Sequence, residues 1–380
     1  MRGTVATEGD TTPASGEGHQ GLITDFIASS GGQSLASASD DGTIILWDLQ
    51  RRTIVHQWVA HGGPFHIAVS PTDGRIISAG ATKLKFWDVS NGETPLAPLA
   101  EYVLEHGWLE DCFWSSDGEW IAFSEMHGTT EPHEGDFVIH LWNAHTMSEH
   151  RVFSPKTGSI HSPSGLMGFS PDSRCLAWVM WYEGDPYYSV WSVGTDPDKP
   201  LSRVPAKPDS ALGHFRSVSF DPHSKRTVTT HSDLPSGGKD LNMRVWDNDI
   251  GELLVVMEGH TDQVTDAGFS PDGARILSVS LDGKVKVWDA EGGVCLLSLD
   301  GHEMGLTKAI YSPDGCYIAT ASDDKNVQLW KGEDGMCLAT FAEHTIRVTD
   351  LVFSPDGQTL ASGDENGIVH IRDISGVVQH

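Results

Sequence analysis

Cysteine, basic residues and long apolar runs are all scarce in this sequence of 380 residues. The five cysteines are odd in number and none of them form a Cys-x-x-Cys pair, which argues against a disulfide framework and a zinc knuckle. Lys and Arg number 25 against 53 Asp and Glu, giving a net charge of −28. Because this charge repels phosphate groups and anionic lipid, we expect neither nucleic acid nor membrane as a partner.

Apolar residues are never concentrated enough to cross a membrane. No run approaches the ~18 apolar residues of a spanning helix, and the N-terminus lacks the apolar core of a signal peptide. These absences predict an intracellular protein in the cytoplasm, with the nucleus as the alternative. No helical period of useful length is present either, whereas 41 glycines and many turn sequences favour an all-β fold.

One stretch, Gly259–Asp289, organises most of the chain. It predicts three strands, Val264–Phe269, Arg275–Ser280 and Lys284–Trp288, separated by Ser-Pro-Asp-Gly and Leu-Asp-Gly turns. A sheet this small cannot bury its apolar faces alone and needs similar neighbours. The sequence supplies them at Gly301–Lys331 and Glu343–Asp373, with a period of about 42 residues.

Alignment on this stretch gives eight units. Their third strands end at Trp47, Trp87, Trp142, Trp191, Trp246, Trp288, Trp330 and Arg372. A fourth candidate strand follows in most units, so the prediction is an all-β, single eight-bladed β-propeller of four-stranded antiparallel blades, with seven blades as the alternative.

The predicted domain organisation has three parts. Residues 1–18 form an N-terminal arm, residues 19–373 the propeller and residues 374–380 a C-terminal tail. The last unit lacks a full fourth strand, so a strand at residues 4–7 of the arm, or a partial one at residues 377–379, is expected to complete it. The chain is also compatible with a module of a longer protein.

The repeat resembles the WD-repeat β-propeller family. The resemblance rests on Gly259-His260 followed by Trp288-Asp289, on Gly301-His302, and on the weaker Glu343-His344 followed by Arg372-Asp373. It covers roughly residues 19–373, and the closely repetitive last three units further resemble the propeller arrays of fungal signalling proteins.

The resemblance implies a hydrogen-bonded tetrad in each blade: His, Ser or Thr, Asp and Trp. In blade six these are His260, Ser278 or Ser280, Asp282 and Trp288. The same implied tetrads include His302, Asp324 and Trp330 in blade seven, and His19, Asp41 and Trp47 in blade one.

Taken singly, the Ser, His and Asp of a tetrad would be a candidate catalytic triad. Their recurrence from blade to blade favours a structural network instead, so we predict no catalytic residue, no metal and no cofactor. Three blades depart from the pattern: Ala81 replaces the Asp in blade two, His214 is misplaced in blade five, and Asn366 and Arg372 stand for Asp and Trp in blade eight.

In the family, partners usually bind the face that carries the loops between second and third strands. Three of these loops are long: Glu125–Gly135, Trp181–Gly184 and Ser232–Lys239. Trp181 and Tyr182 are candidate binding anchors, or else cover for the neighbouring blade. His127, Glu131 and His133 raise the question of zinc, but a Gly- and Pro-containing loop favours solvated side chains.

A second candidate is an acidic arc on the equivalent turns of blades seven, eight and one. It comprises Asp40, Asp323, Asp364 and Glu365, and it would attract a Lys- or Arg-rich peptide. We therefore predict a non-enzymatic, monomeric scaffold that binds a protein or a basic peptide. The alternative is a propeller enzyme or small-molecule binder with a site at the channel mouth near His127, His133, Trp181 and Tyr182.

Overall fold

Antiparallel β-strands make up all the regular structure of the part of the chain that the structure describes. The structure, a computed structural model, describes residues 18–29, 31–63, 65–90, 94, 97–104, 107–128, 135–153, 167–182, 185–194, 202–205, 215–231 and 240–377. The strands form eight separate sheets in sequence order. The eight-bladed β-propeller prediction is therefore confirmed, and seven blades are excluded.

The blades fall into two compact units, and blades one, six, seven and eight belong to the first (residues 1–62 and 260–380). Blade one contains β1 (Ile23–Ala28), β2 (Ser34–Ser39), β3 (Thr43–Asp48) and β4 (Thr53–Val59). Blades six, seven and eight contain β21 (Val264–Phe269), β22 (Arg275–Ser280), β23 (Lys284–Asp289), β24 (Cys295–Asp300), β25 (Leu306–Tyr311), β26 (Tyr317–Ser322), β27 (Val327–Lys331), β28 (Cys337–Phe341), β29 (Val348–Phe353), β30 (Thr359–Asp364) and β31 (Val369–Asp373).

Blades two to five belong to the second unit (residues 63–259). Blades two and three contain β5 (His66–Val69), β6 (Arg75–Gly80), β7 (Lys83–Asp88), β8 (Ala100–Val103), β9 (Trp108–Trp114), β10 (Trp120–Gly128), β11 (Gly135–Asn143) and β12 (Ser148–Phe153). Blades four and five contain β13 (Met167–Phe169), β14 (Cys175–Tyr182), β15 (Asp185–Ser192), β16 (Ser202–Pro205), β17 (Phe215–Phe220), β18 (Arg226–His231), β19 (Met243–Asp247) and β20 (Leu253–Met257).

Burial differs between the strands of a blade in a way that follows from their position. In β22, five of the six residues are buried, because this central strand is covered on both faces. The fourth strand, β24, lies at the edge of its sheet and is largely exposed. Small polar residues on the second strands, such as Ser278, are therefore held in dry surroundings where they need hydrogen-bond partners.

Neighbouring sheets within a unit share apolar clusters. In the first unit, Leu277 and Val287 of blade six pack with Leu306 and Ile318 of blade seven. Each such side chain contributes roughly 1.5–3 kcal/mol when fully buried. The stability of each blade therefore depends on its neighbour, as expected for a repeat protein.

The turn between first and second strands is the same in most blades. In blade six, Ser270 Oγ donates to Asp272 Oδ1 at 2.5 Å, and the Ala274 amide donates to the same oxygen at 3.0 Å. Gly273 follows with a φ of 71°, a conformation that favours glycine. Ser312 and Asp314 repeat these contacts in blade seven, so the Asp of this turn is a structural residue.

Part of the loops predicted for blades three and four is strand, which corrects the predicted loop boundaries. In blade three, β10 and β11 pair from Trp120 and Asn143 to Gly128 and Gly135. In blade four, Tyr182 pairs with Asp185, so Trp181 and Tyr182 of the predicted loop belong to a strand. Extending a hairpin pairs backbone groups that a loop would leave to water, which is the physical reason for the difference.

Blade eight has three strands among the described residues, β29, β30 and β31. Of the candidate closing strands at residues 4–7 and 377–379, only Val377 is described, and it lies in a turn. The predicted closure and the three-part domain organisation therefore stay predictions. Within the described segments, no helix has the length and hydropathy that crossing a membrane requires.

Candidate functional site

The blade six tetrad is a continuous chain of hydrogen bonds from Asp282 to Trp288. His260 Nδ1 lies 2.9 Å from Asp282 Oδ2, and His260 Nε2 lies 2.8 Å from Ser278 Oγ. Trp288 Nε1 donates to the same hydroxyl oxygen at 2.8 Å. Ser280, the alternative hydroxyl, instead donates to the carbonyl oxygen of Asp262.

The carboxylate of Asp282 is saturated by donors. Besides His260, it accepts the backbone N–H groups of Thr261 at 2.8 Å and Lys284 at 2.9 Å. Burial opposes its charged form, but these hydrogen bonds and His260 outweigh burial and hold the pKa of Asp282 well below its usual range. Ser278 is fully buried between His260 and Trp288, so its hydroxyl cannot reach a substrate in this arrangement.

Blade seven repeats this geometry with threonine in place of serine. His302 bridges Asp324 Oδ2 at 2.9 Å and Thr320 Oγ1 at 2.8 Å, and Trp330 donates to Thr320 at 2.9 Å. Two adjacent blades thus use the same four hydrogen-bonding positions with equivalent distances.

Blade one inserts a hydroxyl between the histidine and the carboxylate. His19 Nε2 lies 2.7 Å from Ser37 Oγ, which also accepts from Trp47 Nε1. His19 Nδ1 lies 2.8 Å from Thr43 Oγ1, and Thr43 in turn donates to Asp41 Oδ1 at 2.6 Å. The His19 and Asp41 side chains are therefore linked through Thr43, at a direct separation of 3.8 Å.

Blade eight contains a tetrad with an arginine in place of tryptophan. His344 bridges Asp364 Oδ2 at 2.8 Å and Ser362 Oγ at 2.7 Å. Arg372 donates from Nη1 to Ser362 Oγ at 2.7 Å, and from Nε and Nη2 to Glu343 Oε2 at 2.8 and 2.5 Å. The guanidinium thus takes the hydrogen-bonding place of the indole, and Glu343 balances its charge.

This geometry corrects two predictions about blade eight. The tetrad acid is Asp364, the last residue of β30, so Asn366 does not replace a missing carboxylate. Asp364 is also fully buried against His344, which excludes it from a surface acidic arc. The alignment failed here because the acid lies two residues after Ser362, whereas Asp282 lies four residues after Ser278.

Blade five uses a histidine that sequence reasoning missed. Trp246 Nε1 donates to Thr229 Oγ1 at 2.9 Å, and the same hydroxyl lies 3.0 Å from Nε2 of the fully buried His231. Its spacing could have identified it, because His231 follows Thr229 by two residues, as Asp364 follows Ser362. His214 lies outside the described residues.

Blade three contains a second buried imidazole outside the predicted sets. His140 Nε2 lies 2.8 Å from Glu125 Oε2, and Nδ1 lies 3.0 Å from Glu149 Oε2. The ring stacks on Phe123 with centroids 4.7 Å apart. His140 and Glu125 are both nearly inaccessible, so this pair is part of the blade interior.

The buried histidines predict that the protein loses stability on mild acidification. Burial lowers the pKa of His19 to about 4, and burial with nearby His344 and Arg372 lowers that of His370 to about 4. The unfolded chain binds protons below about 6.5, where the folded protein does not, so stability should fall from pH 6.5 toward 4. The urea midpoint should therefore be lower at pH 5.0 than at pH 7.5.

Asp350 acts in the opposite sense. Burial raises its pKa to about 6, so its contribution to stability is complete at low pH and is lost as the pH rises through 6. Asp350→Asn should steepen the loss of stability on acidification, and His19→Gln should weaken it. Equal urea midpoints at the two pH values for the unsubstituted protein would contradict this account.

In the first unit, each turn between second and third strands is tied to the segment that precedes the first strand of its blade. The backbone hydrogen bonds are Asp40 N to Leu22 O, Leu281 N to Gln263 O, Asp323 N to Gly305 O and Glu365 N to Arg347 O. Neighbouring blades also lie close together here. Gly305 of blade seven is so near Leu281 of blade six that a Cβ added at Gly305 would lie 2.9 Å from Leu281 Cδ2. We call the exposed surface formed by these segments of blades six, seven, eight and one the turn face.

Apolar side chains are exposed along the turn face. They are Leu22 (37%), Ile368 (42%), Leu281 (39%) and Met304 (55%). Exposed apolar residues on consecutive loops are typical of surfaces that bind a partner. Sequence reasoning missed them because each is a single apolar residue in a polar turn.

The acidic arc that the sequence predicts on this face has fewer free carboxylates than expected. Arg347 Nε lies 3.0 Å from Asp323 Oδ1, and Arg347 Nη1 lies 3.4 Å from Glu365 Oε1, so one arginine bridges two of its members. Asp40 is exposed, and Asp364 is buried. The surface is therefore mixed apolar and acidic, with a bridging cation.

The predicted binding residues of blades three and four lie at the ends of long hairpins. The backbone of His127 pairs with that of Asp136 near the end of β10, and Trp181 pairs with Pro186 near the end of β14. His133 and the predicted loop Ser232–Lys239 lie outside the described residues. No group of three or more potential metal ligands occurs in the portion of the chain described.

Comparison with a family model gives four matches. The model described as WD domain, G-beta repeat, matches residues 12–48, 251–289, 293–331 and 335–373. The matched segments include blades six, seven and eight and most of blade one. The resemblance inferred from the Gly-His and Trp-Asp spacing is confirmed.

Curated relatives are similar at modest identity. Striatin-4 of Homo sapiens is 25% identical over 66% of this chain and 33% of its own length. The serine-threonine kinase receptor-associated protein of Dictyostelium discoideum is 26% identical over 71% of this chain and 80% of its own length. The WD repeat-containing protein 26 homolog of Arabidopsis thaliana is 23% identical, and the match spans 49% of its length.

Among solved structures, the computationally designed Ika8 protein matches with a TM-score of 0.72. The match covers 96% of this chain and 100% of that chain at 22% identity. At this identity the similarity concerns the fold alone.

Proposed function

We propose that this chain, which matches the WD-repeat model in four segments, is a non-enzymatic scaffold that binds a protein or peptide partner. The observation that carries the proposal is the row of exposed apolar side chains on the turn face. Exposure of apolar side chains to water is unfavourable, and the free energy falls when a partner covers them. Binding, rather than catalysis, is the activity that this surface supports.

The hydrogen bonding of the tetrads supports a role without catalysis. A general base must reach the proton that it removes, and a nucleophile must reach its substrate. His260, His302 and His344 each have both ring nitrogens engaged, and the hydroxyl partner in each blade is buried. These groups stabilise blades and leave partner recognition to the surface.

The chemistry of the turn face describes the partner. Leu281, Met304 and Ile368 favour a segment with apolar side chains, and Asp40 favours a lysine or arginine beside them. Arg347 already pairs with Asp323 and Glu365, so a basic partner would have to compete for those two carboxylates. Apolar contact should therefore contribute more to affinity than charge does.

The long hairpins of blades three and four are a second contact region in this proposal. Trp181, Tyr182 and His127 lie near hairpin ends, where aromatic and imidazole groups commonly anchor partners, and the proposal includes His133 from the sequence alone. The name of one relative, a receptor-associated protein, is compatible with a family role in binding other proteins. We expect the chain to act as a monomer, without a cofactor, metal, nucleic acid or membrane.

Screening a peptide array with the full chain tests the proposal. Met304→Ser combined with Ile368→Ser should weaken captured binding about tenfold or more, because two apolar contacts of roughly 1 kcal/mol each are lost. Trp181→Ala combined with Tyr182→Ala measures the separate contribution of blade four.

The matched control is Val294→Ser combined with Met336→Ser. These two apolar residues are similarly exposed in the same unit, but they lie in the turns before the fourth strands. This control should leave binding within about twofold of the unsubstituted protein. Failure to capture any peptide, or equal losses in both double variants, would contradict the proposed use of the turn face.

A further inference from the structure

A cleft of about 300 Å³ lies between blades six and seven in the first unit, at the turns that join their first and second strands. This is the opposite end of the blades from the turn face, so the cleft is separate from the proposed scaffold surface. Its lining includes Asp272, Arg275, Tyr311, Asp314 and Lys331. We call it the blade 6–7 cleft.

Two lining residues depart from the repeat. The residue at the position of Tyr311 is phenylalanine in four other blades, Phe169, Phe220, Phe269 and Phe353. The residue at the position of Lys331 is aspartate in five others, Asp48, Asp88, Asp247, Asp289 and Asp373. The cleft therefore gains a hydroxyl and reverses a charge relative to the repeat, whereas Asp272 and Asp314 only repeat the common turn.

Arg275 has unused hydrogen-bond donors, as comparison with Arg75 of blade two shows. Both arginines donate from Nη1 to a backbone carbonyl of the next blade, Arg275 to Gly332 at 3.0 Å and Arg75 to Ala144 at 2.9 Å. Arg75 also pairs with Asp73 at 2.6 Å and stacks over Trp114. Arg275 forms no ion pair with any described carboxylate, so its guanidinium keeps free N–H groups at the cleft.

The hydroxyl of Tyr311 is also without a partner. It is buried, and no described residue forms a hydrogen bond with it. Burial raises the pKa of Tyr311 to about 12, so the group keeps its proton and can donate. A buried hydroxyl without a partner is costly, and a ligand acceptor would remove that cost.

We propose that the blade 6–7 cleft binds a single carboxylate group, carried by a small molecule or by the C-terminus of a peptide. Arg275 and Lys331 supply positive charge, and Tyr311 supplies a hydroxyl donor. Lys331 lies 3.2 Å from Glu333, but this pair is exposed to solvent and exchanges readily for another anion. Arginine and a neutral donor together suit a planar carboxylate.

Phosphate fits the cleft less well than a carboxylate. Asp272, Asp314 and Glu333 also line the cleft, and the whole chain carries a charge of −28. The electrostatic repulsion from these negative charges is about twice as large for a dianion as for a single carboxylate, because it scales with the charge of the ligand. We therefore expect the part of the ligand that binds in the blade 6–7 cleft to carry one negative charge.

Isothermal titration of the full chain tests this assignment with four probes: acetate, N-acetyl-glycylglycine, the C-terminal amide of that peptide, and inorganic phosphate. The free peptide acid or acetate should bind, and the amide should not. Tighter binding of the peptide acid identifies a peptide C-terminus as the source, and equal binding of acetate identifies a small carboxylate.

Three variants locate the site. Lys331→Asp restores the residue of the repeat and should weaken binding about tenfold or more, without loss of fold. Lys325→Asp makes the same charge change at an exposed turn at the other end of blade seven, and it should leave affinity within about twofold. Tyr311→Phe should weaken binding several-fold and raise the melting temperature of the ligand-free protein, since the unpartnered hydroxyl is gone.

The proposal is overturned by any of four results. These are the absence of saturable binding of either carboxylate up to about 10 mM, equal binding of the amide, unchanged affinity in Lys331→Asp, and tighter binding of phosphate than of acetate. Each is read from the same titration series with the folded protein, whose integrity circular dichroism checks.

Discussion

Replacing Arg372 with alanine should lower the free energy of unfolding by about 3 kcal/mol. Arg372 is almost fully buried and joins Ser362 Oγ to the carboxylate of Glu343. Removing one partner of a buried ion pair leaves the other without compensation, which costs roughly 3–5 kcal/mol. We expect the lower end, because the Glu343 side chain keeps 24% exposure and can regain some water. Chemical denaturation at pH 7.5 measures the loss.

Two substitutions separate the buried network from an ordinary ion pair. Arg372→Trp places the residue of the other blades here, whose indole N–H can donate to Ser362 but leaves Glu343 unpaired, so it should recover about 1 kcal/mol of the loss seen in Arg372→Ala. Arg347→Ala breaks an arginine pair that is 47% exposed and should cost at most about 1 kcal/mol. Equal losses for Arg372→Ala and Arg347→Ala would show that the blade eight network contributes no special stability.

Replacing Asp282 with alanine should destabilise the protein by about 3 kcal/mol. The substitution removes the acceptor of the His260 imidazole and of the Thr261 and Lys284 amides, all at 2.8–2.9 Å. A buried donor that loses its acceptor costs roughly 1–3 kcal/mol, and His260 is almost wholly buried. The free energy of unfolding from urea titration at pH 7.5 is the measurement.

Asp272→Ala is the matched control for this prediction. Asp272 also accepts two hydrogen bonds in a turn of blade six, but it is exposed to solvent and water can replace it. Its loss should cost about 1 kcal/mol. The folded-state pKa is lowered for both carboxyls, and more for Asp282 than for Asp272. Each contribution is present above about 4 and fades below, the larger one of Asp282 by more, so the two curves should converge in acid. Parallel curves would contradict the assigned pKa shift.

The regular repeat made the fold predictable. Each unit repeats the same turn residues and strand pattern, and a single sheet of this kind cannot bury its apolar faces alone. The number of Gly-His and Trp-Asp positions therefore predicts the number of blades. The third strands end within one residue of the predicted Trp and Arg372 positions. Blades six and seven match best because they follow the repeat without insertions.

The irregular blades were predictable only in part. Asp364 occupies the position held by Ser280 in blade six, and only the folded backbone shows that its carboxylate reaches His344. His231 likewise reaches Thr229 from a strand position that no other blade fills with histidine. Whether a side chain reaches its partner depends on the folded backbone, and the two-residue spacing that Asp364 and His231 share becomes informative only once that reach is known.

The surface that we propose for binding was the least predictable part. Loop length indicated blades three to five, but part of the loops predicted for blades three and four is paired strand. The exposed apolar residues of the turn face have no pattern along the chain, because exposure depends on neighbouring blades. Departures from the repeat, such as Lys331 for aspartate, remain the best indication that sequence offers.

In the function we propose, the repeated His and Asp residues stabilise blades, and exposed, non-repeated residues bind the partner. A single experiment tests it: peptide capture and thermal melting of the unsubstituted protein, Asp282→Ala, and Met304→Ser with Ile368→Ser, all at a temperature where each is folded. The account predicts that Asp282→Ala melts earlier and still binds, and that the double variant melts normally and binds about tenfold more weakly or worse. Lost binding in Asp282→Ala with retained binding in the double variant would contradict it.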